Sequence, residues 1–218
     1  MGYFPFFMDI SEKQGVIVGG GVVAARKVEK LLEFSPNLTV IATKIETCMW
    51  AQRSRLETEK INMLIFREKP FQEEDLIEAD FVIAATDDKK INSRVSDYCR
   101  TRQIPVNVVD DKEKCTFFFP ALVKDGALTI GISTDGKSPL VSAWVRKNIE
   151  QALPKGLGEI IDLLGALRSD VIASGKEEAI RKEILEKMFL YCLEKNCEVE
   201  GKVTLEELRS LFIEHEYS

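Results

Sequence analysis

Residues 15–24 read GVIVGGGVVA: an apolar run, three consecutive glycines, then a helix-forming segment. Few local patterns restrict a fold more. The run 15–19 is short and continuously apolar, as expected of a strand buried on both faces. Residues 22–34 (VVAARKVEKLLEF) bring Val28, Leu31 and Leu32 to one face and keep Arg26, Lys27 and Lys30 polar, the spacing of an amphipathic helix. Gly19, Gly20, Gly21 and Ala24 therefore fall in a G-x-G-x-x-A pattern between a strand and a helix. Gly19 permits the tight turn, Gly21 lets the backbone approach a pyrophosphate, and Ala24 lets the helix pack closely on the strand. The amides at the helix start favour the anion. In this context the pattern points to a dinucleotide site.

The chain continues in the same rhythm. Apolar runs at 37–42, 61–66, 80–85 and 104–109 read as strands, and 88–102 reads as a helix with Ile91, Val95 and Tyr98 or Cys99 at helical spacing. Strands alternating with helices predict βαβ units and a parallel sheet, with ligands beyond the carboxyl ends of its strands. Three loops therefore matter. Thr43 and Lys44 end the second strand where an acid would normally bond the adenine ribose; Glu46 comes late, so these residues leave NAD and NADP both open. Ala85 and Thr86 wall the cleft after the fourth strand, where Asp87 or Asp88 suits a helix N-cap equally well. Asp110 follows the fifth strand directly and is either a general acid/base or an ordinary turn residue.

After residue 111 the pattern changes. CTFFFPALV and GALTIGIST, joined at Asp125-Gly126, predict an antiparallel hairpin. Residues 138–153 predict a helix with Ser138 as N-cap and Pro139 in its first turn. Beyond 154 the chain reads as helices only, one carrying Ile180, Ile184, Met188 and Cys192 as a packing stripe. The division expected is 1–113, 114–153 and 154–218.

Composition removes several chemistries. A single histidine, His215, argues against a histidine metal cage or a Ser-His-Asp triad, and five cysteines without a CxxC pair suggest neither a zinc site nor a disulfide framework. Reduced thiols fit a cytoplasmic setting. A net charge of −6 argues against general nucleic-acid binding, and no apolar run approaches the ~20 residues that span a bilayer. The start, MGYFPFFMDISEK, lacks a basic n-region and is not expected to act as a signal peptide; Phe6 breaks the myristoylation pattern.

YFPFFMDI, VIVGGGVVAARKV, VIAATDD, NVVDD, FFFPALV and LTIGISTDGKSP occur here in one order over about residues 3–153. Together they closely resemble the precorrin-2 dehydrogenases, which include the N-terminal module of sirohaem synthases. The resemblance implies a Rossmann-type NAD-binding domain, a hairpin-and-helix unit that joins two subunits of a homodimer, and an all-helical tail. It implies oxidation of precorrin-2 to sirohydrochlorin with NAD as acceptor; some members also insert Fe2+. It assigns catalysis to Asp110 and backbone contacts with NAD to Val22, Val23, Thr43 and Lys44, beside the glycine loop (Gly19, Gly20, Gly21), Ala85 and Thr86 read above. Asn107, Thr134, Lys137 and Ser138 are the candidate substrate contacts, and no resident metal is expected. Asp135 stands where the family commonly has glycine. Residues 105–147 carry six cations (Lys112, Lys114, Lys124, Lys137, Arg146, Lys147) against five acids, a balance suited to a polyanionic substrate. The reading from another class is a non-catalytic nucleotide-sensing module, which would need no dedicated NVVDD and GISTDGKSP segments.

Overall fold

The computed structural model describes residues 4–56, 63–196 and 203–214. The chain divides into two compact units, with the boundary between Phe119 and Pro120.

The first unit is a five-stranded parallel sheet of β1 (Gln14–Val18), β2 (Asn37–Ala42), β3 (Leu64–Glu68), β4 (Phe81–Ala84) and β5 (Val106–Val108), in the order β3-β2-β1-β4-β5. Helices α1 (Val22–Leu32), α2 (Thr47–Ser54) and α3 (Lys89–Thr101) complete it. Alternate strand residues feed two cores. Ile17, Val40 and Ile83 meet Ala24, Ala25 and Val28 of α1, whereas Val16, Val18, Val82 and Ala84 meet Val95 and Cys99 of α3. The order reverses between β1 and β4, so the switch point where such sheets bind ligands lies beside the glycine loop.

Two strands depart from their expected bounds by two residues or more. The third strand runs Leu64–Glu68, two residues past the expected end, and residues 61 and 62 lie outside the described set. The fifth is only three residues long. Pro105 still accepts a hydrogen bond from Val82 N but has no N–H to give.

The larger correction concerns CTFFFP. It is irregular, and the hairpin starts only at Ala121. Residues 115–117 instead cover the outer edge of β5. Val106 N donates to Thr116 Oγ1 (2.8 Å), Val108 N to Cys115 Sγ (3.1 Å) and Thr116 N to Val106 O (2.8 Å). An edge strand's open amides are thus satisfied largely by side chains.

The second unit opens with β6 (Ala121–Asp125) and β7 (Leu128–Ile132), paired antiparallel. Gly126, at φ +53, takes the loop position that requires a left-handed backbone. Helix α4 (Pro139–Ala152) follows, then α5 (Leu157–Ala173), α6 (Glu178–Asn196) and α7 (Leu205–Arg209), which runs on into a π-helical turn at Ser210–Glu214. Ser138 caps α4 as expected, accepting from Val141 N at 3.3 Å. Helix α5 has Gly156 at its N-cap and borrows a carboxylate from the hairpin: Gly158 N donates to Asp125 Oδ2 at 2.9 Å. Ile160, Leu167 and Val171 of α5 pack with Ile184, Met188 and Cys192 of α6 and Leu208 of α7. The expected stripe loses one member, since Ile180 is exposed in the first turn of α6. Among the described residues no helix is long and apolar enough to cross a membrane.

Candidate functional site

At the carboxyl edge of the sheet the three glycines do different work. Gly19 has φ +126, and a Cβ there would lie 2.3 Å from the Ala85 carbonyl oxygen. A Cβ on Gly20 would lie 2.2 Å from the Lys44 carbonyl oxygen. These two glycines let the loop press against its neighbours, an arrangement reinforced by Gly19 N donating to Ile41 O and Glu46 N to Gly20 O. At Gly21 a Cβ would meet nothing within 4 Å. Protein packing therefore does not explain the absence of a side chain there, and the open space suits a ligand. Gly21 is the N-cap of α1 and contributes no side-chain cap, so the first-turn amides, including those of Val22 and Val23, have no intrahelical partner. Uncapped amides, a positive helix end and a cradle without side chains fit the pyrophosphate of a dinucleotide.

Thr43 and Lys44 are exposed beside this loop, and the Lys44 ammonium lies 3.6 Å from Glu46. Across it, Ala85 N donates to Val18 O. Thr86 is less free than expected. Its hydroxyl donates toward Asn92 Oδ1 (2.7 Å) and its N–H to the same oxygen (3.2 Å), while Asn92 Nδ2 donates to Thr86 O (2.9 Å). Thr86 can then serve a ligand mainly as an acceptor. Asp88 rather than Asp87 is the α3 cap, accepting from Lys90 N and Ile91 N.

Asp110 ends this edge. It is exposed, has φ +60, and its carboxylate makes no ion pair or hydrogen bond among the described residues. Its neighbour Asp111 is committed: Lys114 lies 2.8 Å away and holds the Asp111 carboxyl below the usual carboxylate range. Asn107 is buried and donates to Phe117 O at 3.0 Å, so its amide holds the β5 edge segment. Lys27 of α1 sits 3.8 Å over the Phe119 ring, and burial, with the nearby Lys30, lowers its pKa.

The other expected contacts gather in one loop of the second unit. Thr134 Oγ1 donates to Ser138 O and accepts from Ser138 N, closing the loop, and Asp135 and Gly136 both have positive φ. That backbone explains why glycine suits position 135. Lys137 lies 3.7 Å from Asp135 and is otherwise exposed. Two more of the cations counted from sequence already have partners, Lys114 with Asp111 and Arg146 with Glu150, which weakens the charge argument. The sequence reading missed Asn92, Ser96 and Cys115. Asn92 and Ser96 share the apolar face of α3 with Val95 and Cys99, and polar residues on a buried face are the signal that could have found them.

Residues 6–121 match the family model described as "Putative NAD(P)-binding", and residues 125–152 match that of the "Sirohaem biosynthesis protein central". The siroheme synthase of Nitrosospira multiformis is 34% identical over 188 residues, which are 86% of this chain and 39% of that protein. That of Pseudoalteromonas translucida is 35% identical over 189 residues, 87% of this chain and 39% of that protein. The chain thus spans about two-fifths of the length of these curated relatives. The solved structure of SirC, precorrin-2 dehydrogenase, shares the fold at TM-score 0.71 and 20% identity, covering 99% of this chain and 100% of that one. The chain therefore belongs to this NAD(P)-binding family, with the match to the sirohaem-biosynthesis central model following it at residues 125–152.

Proposed function

We propose that this protein oxidises precorrin-2 to sirohydrochlorin with NAD as acceptor. The observation that carries the reading is the pairing of an open glycine cradle at Gly21 with an exposed carboxylate, Asp110, that has no partner among the described residues, on the same sheet edge. The matched curated relatives are siroheme synthases, and the solved structure that shares the fold is a precorrin-2 dehydrogenase. The α1 amides at Val22 and Val23 would hold the pyrophosphate, with main chain at Thr43, Lys44, Ala85 and Thr86 flanking the rest. When bound, the dinucleotide supplies the two-electron acceptor. The work of the chain is to bind and orient the macrocycle and to take up its ring proton at an Asp110 carboxylate oxygen. Ser138 and Lys137 would offer hydroxyl and ammonium donors to the substrate's carboxylates, with Thr134 closing the loop that presents them. Asn107 supports the site by holding Phe117.

Helix α4 has no buried residue and exposes Leu140, Val141 and Trp144. Such an apolar face supports a homodimer formed through the hairpin and α4. Free Cys48, Cys99, Cys115 and Cys192 support a reducing, cytoplasmic setting.

The test is anaerobic: purified protein, enzymatically generated precorrin-2 and NAD, followed by the sirohydrochlorin spectrum and NADH. Asp110→Ala should lower turnover by roughly 10²–10⁴-fold while NAD binding persists. Full activity in that variant would remove the role of Asp110. Absence of conversion by the unmodified protein, with NAD still raising its melting temperature, would favour the nucleotide-sensing module. An exposed carboxylate also suits removal of pyrrole protons during Fe2+ insertion, which adding Fe2+ or Co2+ to the same cuvette would test.

A further inference from the structure

Asp110 holds a left-handed backbone that costs most residues energy, and such a conformation persists only when its surroundings over-determine it. The surroundings here are unusually specific. The Cys115 thiol reaches both sides of the turn, accepting from Val108 N at 3.1 Å and lying 3.2 Å from the carbonyl oxygens of Val108 and Asp111. Burial pushes the thiol pKa up, so it keeps the proton it donates. Lys114 bridges in the other direction. Its ammonium pairs with Asp111 at 2.8 Å and donates to Ser93 Oγ of α3 at 2.9 Å. One helical turn further on, the fully buried Ser96 donates to Lys114 O at 2.9 Å, and Arg100 donates to Glu113 O. Residues 93, 96 and 100 share one face of α3, so the segment after Asp110 is fastened along a rigid helix. None of these groups is Asp110 itself, whose carboxylate is left exposed.

We propose that Lys114 and Cys115 are positioning residues that hold the Asp110 turn so that its carboxylate meets the reacting macrocycle. This rests on the catalytic assignment of Asp110 above. The clamp acts on orientation and not on the dinucleotide, because its hydrogen bonds and ion pair run to α3 and the Val108–Asp111 turn and not to the glycine loop.

The experiment is steady-state kinetics on Lys114→Met, Lys114→Arg, Cys115→Ala and Cys115→Ser beside Asp110→Ala, with activity expressed per folded molecule from near-ultraviolet circular dichroism. Lys114→Met and Cys115→Ala should each lower kcat roughly tenfold or more, since misplacement by about 1 Å can cost 10²-fold. KM for NAD should stay within about twofold, and Lys114→Arg and Cys115→Ser should recover much of kcat. Combined with Asp110→Ala, Lys114→Met should add no further loss, as expected of a residue acting only through Asp110. Unchanged kcat with a lowered melting temperature would make the clamp merely structural and overturn the proposal, as would additive losses in the double variant. Full activity of Asp110→Ala would remove the assignment on which the proposal rests, whereas an impaired Asp110→Ala beside an unimpaired Lys114→Met overturns the positioning role alone. Should Cys115→Ala not fold, Lys114→Met carries the test, its side chain being 36% exposed.

Discussion

The glycine loop and the Asp110 turn leave the same edge of one sheet, and both use a positive φ, +126 at Gly19 and +60 at Asp110. They reach it by opposite means. Gly19 adopts its conformation because it has no Cβ, and the loop is completed by backbone contacts with the ends of the neighbouring strands β2 and β4. Asp110 keeps its side chain and is held there by Cys115, Lys114 and a face of α3. A binding loop that must admit a pyrophosphate gains from lacking side chains. A carboxylate with the role proposed for Asp110 has to be kept, so the strain is met by partners elsewhere.

That contrast can be broken first at the glycines. Gly19→Ala combines a forbidden φ with a backbone clash, and should lower stability by about 3 kcal/mol or abolish folding. Gly21→Ala meets no protein atom and should change stability by no more than about 1 kcal/mol, the scale of an N-cap substitution. Its NAD affinity should nevertheless fall about tenfold, or ~1.4 kcal/mol, if the cradle holds pyrophosphate. Calorimetric unfolding beside a titration with NAD separates the two variants, and an undiminished affinity in Gly21→Ala would return that space to solvent. Next in size, Asn92→Ala strips the bonds that lock Thr86, and should cost about 2 kcal/mol because a buried network loses its partners. Urea midpoints would register it.

At the Asp110 turn the expected effects are smaller and one is opposite in sign. Asp110→Gly removes the left-handed strain and should leave stability unchanged or raise it by at most about 1 kcal/mol while turnover is lost. A marked drop in melting temperature would mean the carboxylate supports the fold. The smallest effect is on pH dependence. Asp111 is held below its ordinary range chiefly by Lys114. Its pairing therefore stabilises the fold above the unfolded carboxyl pKa of about 3.9, and this contribution is lost as pH falls through the lowered folded value. Lys114→Met should be less stable than the parent protein at neutral pH and converge with it in strong acid. A stability gap that stayed constant through the acid range would contradict that pairing.

Most of the fold could be read from residue order. Buried parallel strands are continuous apolar runs, and the G-x-G-x-x-A turn is local, so Gly19 to Ala24, the sheet and the Ser138 cap follow from short windows. The antiparallel hairpin is legible in the same way, but the irregular course of CTFFFP is not. Its aromatic run has strand propensity, yet residues 115–117 were recruited as side-chain partners for the open edge of β5, a tertiary demand that overrides propensity. Ile180 fits the helical period but lies in the first turn of α6, beyond the cover of α5 and α7.

The sequence by itself determined the dinucleotide-type architecture and the position of Asp110 at the end of a strand, because both depend on contacts within a few residues and on the two-residue and 3.6-residue periods. Only the tertiary structure decided which acid is free and which is paired. It also decided that Thr86 is engaged by Asn92, and that Gly21 alone of three glycines faces open space. Those outcomes depend on groups brought together across the fold, such as Lys114 to Ser93 at a separation of 21 residues and Ser96 to Lys114 at 18. Side-chain pairing over such distances leaves no periodic trace in the chain.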